Sequence, residues 1–161
     1  SYLQANTKNG KRHSAFRAFI EPIINRENLH IMINTRVTKI LIDPSTKITY
    51  GLEYVRNRKR FRVIARKEVI LSAGTFSSPQ LLMLSGIGRR DHLASIGVPL
   101  IQELQVGKSM YDHVCHFGLT FIVNTTNESL NTDRTLQLES IREYLQGRGL
   151  LTIPGGVEGN F

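Results

Sequence analysis

A single cysteine, Cys115, occurs among the 161 residues, so no disulfide can form within the chain. Long apolar runs are missing too, and none approaches the ~18 residues that a membrane-spanning helix needs. No signal-peptide pattern opens the chain, and it contains neither internal repeats nor low-complexity tracts. The absence of Gly-x-Ser-x-Gly excludes the nucleophile elbow of a serine hydrolase. Gly-x-Gly-x-x-Gly is absent as well. Its nearest approach, Gly86-Ile87-Gly88-Arg89-Arg90-Asp91, lacks the third glycine and follows a helical pattern rather than a strand. Acidic residues are scarce relative to basic ones, 13 against 21, for a formal net charge of +8. Such a balance attracts nucleic acid or anionic membrane, and it also serves an ordinary solvated surface. Asp112, His113, Cys115 and His116 crowd together, but the irregular spacing and the lack of a second cluster argue against a metal, and none is expected. Neither Ser1 nor Phe161, which directly follows a Gly-rich stretch, reads as a natural boundary, so a piece of a larger protein is expected.

What is present is a chain with 40% hydrophobic residues, which suits a globular core. Ser14 is placed to cap a short helix over 15–20, interrupted by Pro22. Two β-branched runs follow, 29–33 and 36–42, and both read as strands. Asp43-Pro44-Ser45-Thr46 is a turn. Ile48, Tyr50, Leu52 and Tyr54 then alternate, giving a strand with one buried face. Residues 57–59 form a hairpin tip. The next strand puts Phe61, Val63 and Ala65 on one face and Arg60, Arg62 and Arg66 mostly on the other. Val69-Ile70-Leu71 is a continuous apolar run, expected to be a parallel strand covered on both faces.

Beyond it, Ser78 is expected to cap a helix with Pro79 in its first turn, with Leu81, Leu82 and Leu84 on the apolar side and Gly86 ending it. A second short helix is expected over 91–96, stopped by Gly97, then strands over 98–101 and 117–123. Thr132 caps a last helix reaching Gln146, in which Leu138, Ile141 and Leu145 recur on one side. The order of elements indicates an α/β fold, α+β in part, with an inserted antiparallel block.

The strongest local feature is the small-residue turn Ser72-Ala73-Gly74 between the buried run and the helix. Small residues there let backbone approach a ligand closely, and ligands of open α/β sheets sit at the carboxyl ends of strands. Two readings stand side by side: a nucleotide contact, or a tight connection with no ligand. The basic run Arg56, Arg58, Lys59, Arg60, Arg62, Arg66 and Lys67 likewise reads as a polyanion site or as a solvated strand face.

Gly74-Thr75, Ser78-Pro79, Leu81-Leu82 and Ser85-Gly86-Ile87-Gly88 together resemble the second signature of the glucose–methanol–choline oxidoreductases. The resemblance runs both ways along the chain. It takes in Gly10-Lys-Arg-His-Ser14 with Ala18-Phe19, and Asn28-Leu-His-Ile with Val37-Thr38-Lys39-Ile40-Leu41. It continues through Val106-Gly107-Lys108 with Asp112-His113, and through Gly155-Gly-Val-Glu158-Gly, the last resembling insect members in particular. Ser109-Met110-Tyr111 departs from the family's usual Asn-Leu-Gln, and His13 stands where small or thiol residues are common.

The resemblance implies part of an FAD-binding parallel-sheet domain over 1–113, carrying the antiparallel block, and the start of a substrate-binding domain over 114–161. It implies FAD as cofactor and a small-molecule alcohol or sugar as substrate; no nucleic acid partner is expected, because no aromatic residue on the exposed face of the basic run is placed for stacking. For site residues it implies Val37, contacting adenine through its backbone N–H and C=O, and Ala73, Gly74 and Thr75 beside the nucleotide half. The catalytic base is expected outside this chain. Two rival readings are a non-catalytic relative that keeps the fold and a basic module that binds polyanions. The sequons at Asn124 and Asn127 point to a secretory route.

Overall fold

The computed structural model describes residues 5–114 and 135–152. They fall into two compact units, one within residues 31–114 and a second made of described residues within 5–30 and 135–152.

The first unit is built on a three-stranded antiparallel sheet, β3 (Arg36–Ile42), β4 (Thr49–Arg56) and β5 (Lys59–Ile64), in the order β3-β4-β5. Its first turn forms as the sequence indicates, and the second is shorter than the expected 57–59, because Lys59 already pairs with Arg56 in β5. The Asp43 carboxylate accepts the Ser45 N–H at 3.0 Å, the Thr46 N–H at 2.7 Å and the Thr46 hydroxyl at 2.9 Å. These bonds favour the charged form, with Thr46 foremost, and hold the Asp43 carboxyl below the usual carboxylate range. At the hairpin tip Asn57 and Arg58 both take positive φ, 50° and 61°, the two-residue geometry whose twist matches the flanking strands. Tyr54 and Phe61, directly opposite each other, stack with ring centroids 5.4 Å apart.

Helix α1 (Ser77–Leu84) lies on β3 and buries Leu81 against Ile40 and Ile42, with Val37, Leu71, Leu82, Ile87 and Ile101 around them. Its C-terminus is fixed by two devices. Gly86 has a φ of +91°, and a Cβ there would lie 2.7 Å from the Pro99 carbonyl oxygen, so only glycine fits. That close approach lets the Gly86 carbonyl accept the N–H groups of Ile101 at 2.7 Å and Gln102 at 3.1 Å. The second device is Ser85, whose buried hydroxyl donates to the Leu81 carbonyl at 2.6 Å and accepts the Ile40 N–H at 2.8 Å. Helix α2 (Arg90–Ser95) follows and seals Leu93 completely from solvent. Short strands β6 (Ile87–Gly88) and β7 (Gln102–Glu103) pair in parallel.

Several expectations are corrected here. Residues 29–33 do not form a strand: the Leu29 N–H closes a turn on the Arg26 carbonyl, and Ile31 and Ile33 are exposed. Residues 69–71 form no strand either, and Ile70 is 78% exposed. A β-branched run becomes a strand only beside a partner, and none runs beside either segment among the described residues. The expected strand at 98–101 is displaced to Gln102–Glu103, because 98–101 packs on the end of α1. Ser78 sits inside the first turn of α1 instead of capping it, and its hydroxyl accepts the Ala73 N–H at 3.0 Å. The α2 helix begins and ends one residue earlier than the expected 91–96.

In the second unit a small hairpin, β1 (Thr7–Lys8) and β2 (Lys11–Arg12), precedes a wide helical turn at Phe16–Ile20. The Ser14 hydroxyl accepts the Arg17 N–H at 3.4 Å, but the cap position is Ala15, so Ser14 stands one residue before the cap instead of capping the expected helix over 15–20. Helix α3 (Leu138–Leu145) ends before Gly147, as expected. Its expected cap, Thr132, and the expected strand at 117–123 lie outside the described residues.

Replacing Ser85 with Ala leaves the Ile40 N–H buried without an acceptor. The expected cost is about 1–3 kcal/mol. It should appear as a lower urea midpoint with an unchanged slope. An unchanged midpoint would show that another acceptor takes over.

Candidate nucleotide site

A cleft of about 660 Å³ opens along the outer edge of β3, lined by Thr35, Arg36, Val37, Thr38, Val55, Ala73, Ser77, Gln80, Leu81 and Leu84. Two of the four residues implied by the resemblance, Val37 and Ala73, therefore face the same space from opposite sides.

The register shows which way the backbone of Val37 points. The two-residue tip closes on Arg56 and Lys59, and the Ala65 N–H donates to the Tyr50 carbonyl, so Leu52 and Tyr54 direct their backbone groups to β5. Their partners on β3, Ile40 and Val37, must then direct theirs away from β4. Ile40 does so visibly, since its N–H goes to Ser85. A bulge at Thr38, between the pairs Val37–Tyr54 and Lys39–Glu53, puts Val37 in the same orientation. Val37 thus presents one N–H donor and one C=O acceptor at the open edge. That pair is complementary to a planar heterocycle carrying an acceptor beside an amino group.

Across the cleft, the turn from Ala73 to α1 is held by the Ala73 N–H to the Ser78 hydroxyl and by the Ser78 N–H to the Gly74 carbonyl, 3.0 Å each. Gly74 adopts a φ of +92°, and a Cβ built on it would meet nothing within 4 Å. The glycine is required there by backbone conformation, and the side-chain direction is open. Thr75 is exposed in the same turn. Gly74 and Thr75 do not line the cleft, although they adjoin Ala73, which does. Ser77 and Gln80 do line it and were not singled out from the sequence. The only signal for them is their spacing, three apart and hence on one face of α1.

A second cleft, of about 520 Å³, lies between α2 and the segment Val106-Gly107-Lys108. Arg89 pairs with Asp91 on its rim, and this bond, with the His92 N–H, holds the Asp91 carboxyl below its usual range. Asp112 and His113 are exposed, the carboxylate accepting the His113 N–H at 2.7 Å, whereas Cys115 and His116 lie outside the described residues.

The family model for GMC oxidoreductases matches residues 1–115. The chain belongs to the GMC oxidoreductase family. It is 40% identical over 144 residues to ecdysone oxidase of Bombyx mori, covering 89% of this chain and 21% of that protein. To glucose dehydrogenase (FAD, quinone) of Drosophila melanogaster it is 39% identical over 153 residues, covering 91% of this chain and 24% of that one. Among solved structures, an FAD-dependent oxidoreductase from Chaetomium thermophilum superposes with a TM-score of 0.56 at 34% identity, over 60% of this chain and 17% of that chain. The chain therefore spans about a fifth to a quarter of the length of these curated relatives. The α/β fold read from the sequence is that of this GMC family.

If the backbone of Val37 makes the contact, its side chain should matter little. Val37→Ala in the full-length protein is expected to keep nucleotide affinity within about twofold, whereas Val37→Pro, which deletes the N–H, should weaken it by about tenfold, one hydrogen bond's worth. Proline is tolerated at this outward-facing edge. Titration of the apoprotein with FAD checks both, and equal losses in the two variants would show that the side chain is the contact.

Proposed function

We propose that the full-length protein is an FAD-dependent oxidoreductase acting on the CH–OH group of an alcohol or sugar, and that this chain supplies the adenine end of the cofactor site. The observation that carries this reading is the open edge of β3, where Val37 faces the Ala73 turn across one cleft. Membership of the GMC family supports it, as do relatives whose names specify oxidase and dehydrogenase activity. Residues 1–113 would belong to the FAD-binding domain, and 114–161 would open the substrate domain.

Bound FAD would accept the hydride that leaves the substrate's CH–OH carbon. The part played by this chain is binding and orientation. Val37 pairs with the adenine edge through its backbone, while Ala73 and Gly74 bring the main chain close without a side chain intervening. The base that takes the hydroxyl proton is not assigned to any residue here.

The purified full-length protein should be yellow, release FAD and not FMN, and lose its flavin absorbance when alcohols or sugars are added without oxygen. A colourless protein that FAD cannot reconstitute sinks the flavin reading. A yellow protein that no alcohol or sugar reduces identifies a non-catalytic relative. Residues 1–161 alone, which lack Gly-x-Gly-x-x-Gly, should bind FAD poorly and show no turnover.

We also propose that the protein follows the secretory route, on the strength of the sequons at Asn124 and Asn127. Glycosidase treatment of protein from its native source should lower its mass, with the glycan mapping to one of these two residues. An unchanged mass would argue against that route.

A further inference from the structure

The antiparallel register places two rows of side chains on the sheet face opposite Ile40 and α1. One row is Arg36, Val55 and Arg60; the next is Lys39, Glu53 and Arg62. Residues paired across a ladder share a face, and so do residues two apart along β4. Four cations thus surround one carboxylate, and all four are exposed.

Glu53 organises them. One of its oxygens lies 3.4 Å from Nη1 of Arg60 and the other 3.6 Å from Nε of Arg62. Its own side chain is only 14% exposed, whereas those of Arg60 and Arg62 are 76% and 70% exposed. The carboxylate is sunk in the sheet surface and steers both guanidinium groups, leaving their remaining donors directed to solvent. Arg58 at the hairpin tip and Arg66 and Lys67 beyond β5 extend the positive field.

We propose that this face binds a linear sulfated polysaccharide. Guanidinium forks match sulfate oxygens in pairs. Cations on the two outer strands, separated by β4 and hence about 10 Å apart, and repeated along each of those strands, offer successive contacts to a chain laid across the sheet. Stacking of nucleic acid bases is not available, because Tyr54 and Phe61 stack on the opposite face. Guanidinium groups fixed on a ladder suit a ligand with fixed charge spacing better than fluid lipid headgroups.

The test uses the full-length protein and heparin as probe, titrated across a salt series. Arg60→Glu with Arg62→Glu should weaken binding by about tenfold or more and lower the salt slope by about 2. Arg89→Glu with Arg90→Glu at the start of α2 changes the net charge equally and should leave affinity within about twofold. Circular dichroism melting controls for folding, and Arg60→Gln with Arg62→Gln gives the milder comparison if the reversed pair does not fold. Equal losses in the two pairs would overturn the proposal in favour of general charge attraction. So would an absence of heparin binding at physiological salt, or tighter binding to a single-stranded oligonucleotide or to phosphatidylserine vesicles than to heparin.

Discussion

The Ser85 hydroxyl is the constraint on which the arrangement of the first unit depends. It donates to the last full turn of α1 and accepts from the edge of β3, so helix and sheet are joined by a polar bond inside an otherwise apolar contact. An unpaired N–H at Ile40 would be costly in that environment, so the bond fixes where the helix end sits along the strand. Ile40 is three residues from Val37 on the same edge. The hydroxyl closes the edge at one end, and the cleft is the length of edge left open beyond it. The small core of Ile40, Ile42 and Leu81 then sets the separation between the two walls.

The signature that carries the family resemblance divides along similar lines. Its second half, Ser85-Gly86-Ile87-Gly88, is used internally, for the strand–helix bond, the positive φ at Gly86 and the pairing of β6 with β7. Its first half opens with Gly74, where a Cβ would meet open space. A motif read as one unit in sequence is thus two devices in the fold. Only the first adjoins the proposed cofactor cleft, through Ala73.

The antiparallel block was legible because its signals are local. Alternation along β4, the Asp43 turn and the polar break at 57–59 each act within a few positions. The runs at 29–33 and 69–71 carry equally good propensity, but a strand is a pairing, and pairing depends on residues far along the chain. The start of α1 departs from its expected form for a related reason. Ser78 has the chemistry of a cap, but its hydroxyl is engaged by the Ala73 N–H from within the first turn. Val37 was reached through family resemblance alone, since an apolar residue in a β-branched run looks like any core position.

What makes Val37 different is the bulge at Thr38. In a regular ladder, with the Ile40 N–H turned outward, Thr38 would be the next residue to face the edge and Val37 would face β4. One extra residue reverses that parity and turns the backbone of Val37 to the cleft. The same residue also serves the other side of the sheet. The Thr38 hydroxyl lies 3.4 Å from the Glu53 carbonyl and 3.2 Å from a Glu53 carboxylate oxygen, and this is the carboxylate that positions Arg60 and Arg62. The proposed cofactor edge and the basic face are therefore coupled through a single irregularity. Removing the bulge would shift register along β3, carry Val37 inward and strip Glu53 of a partner in one step.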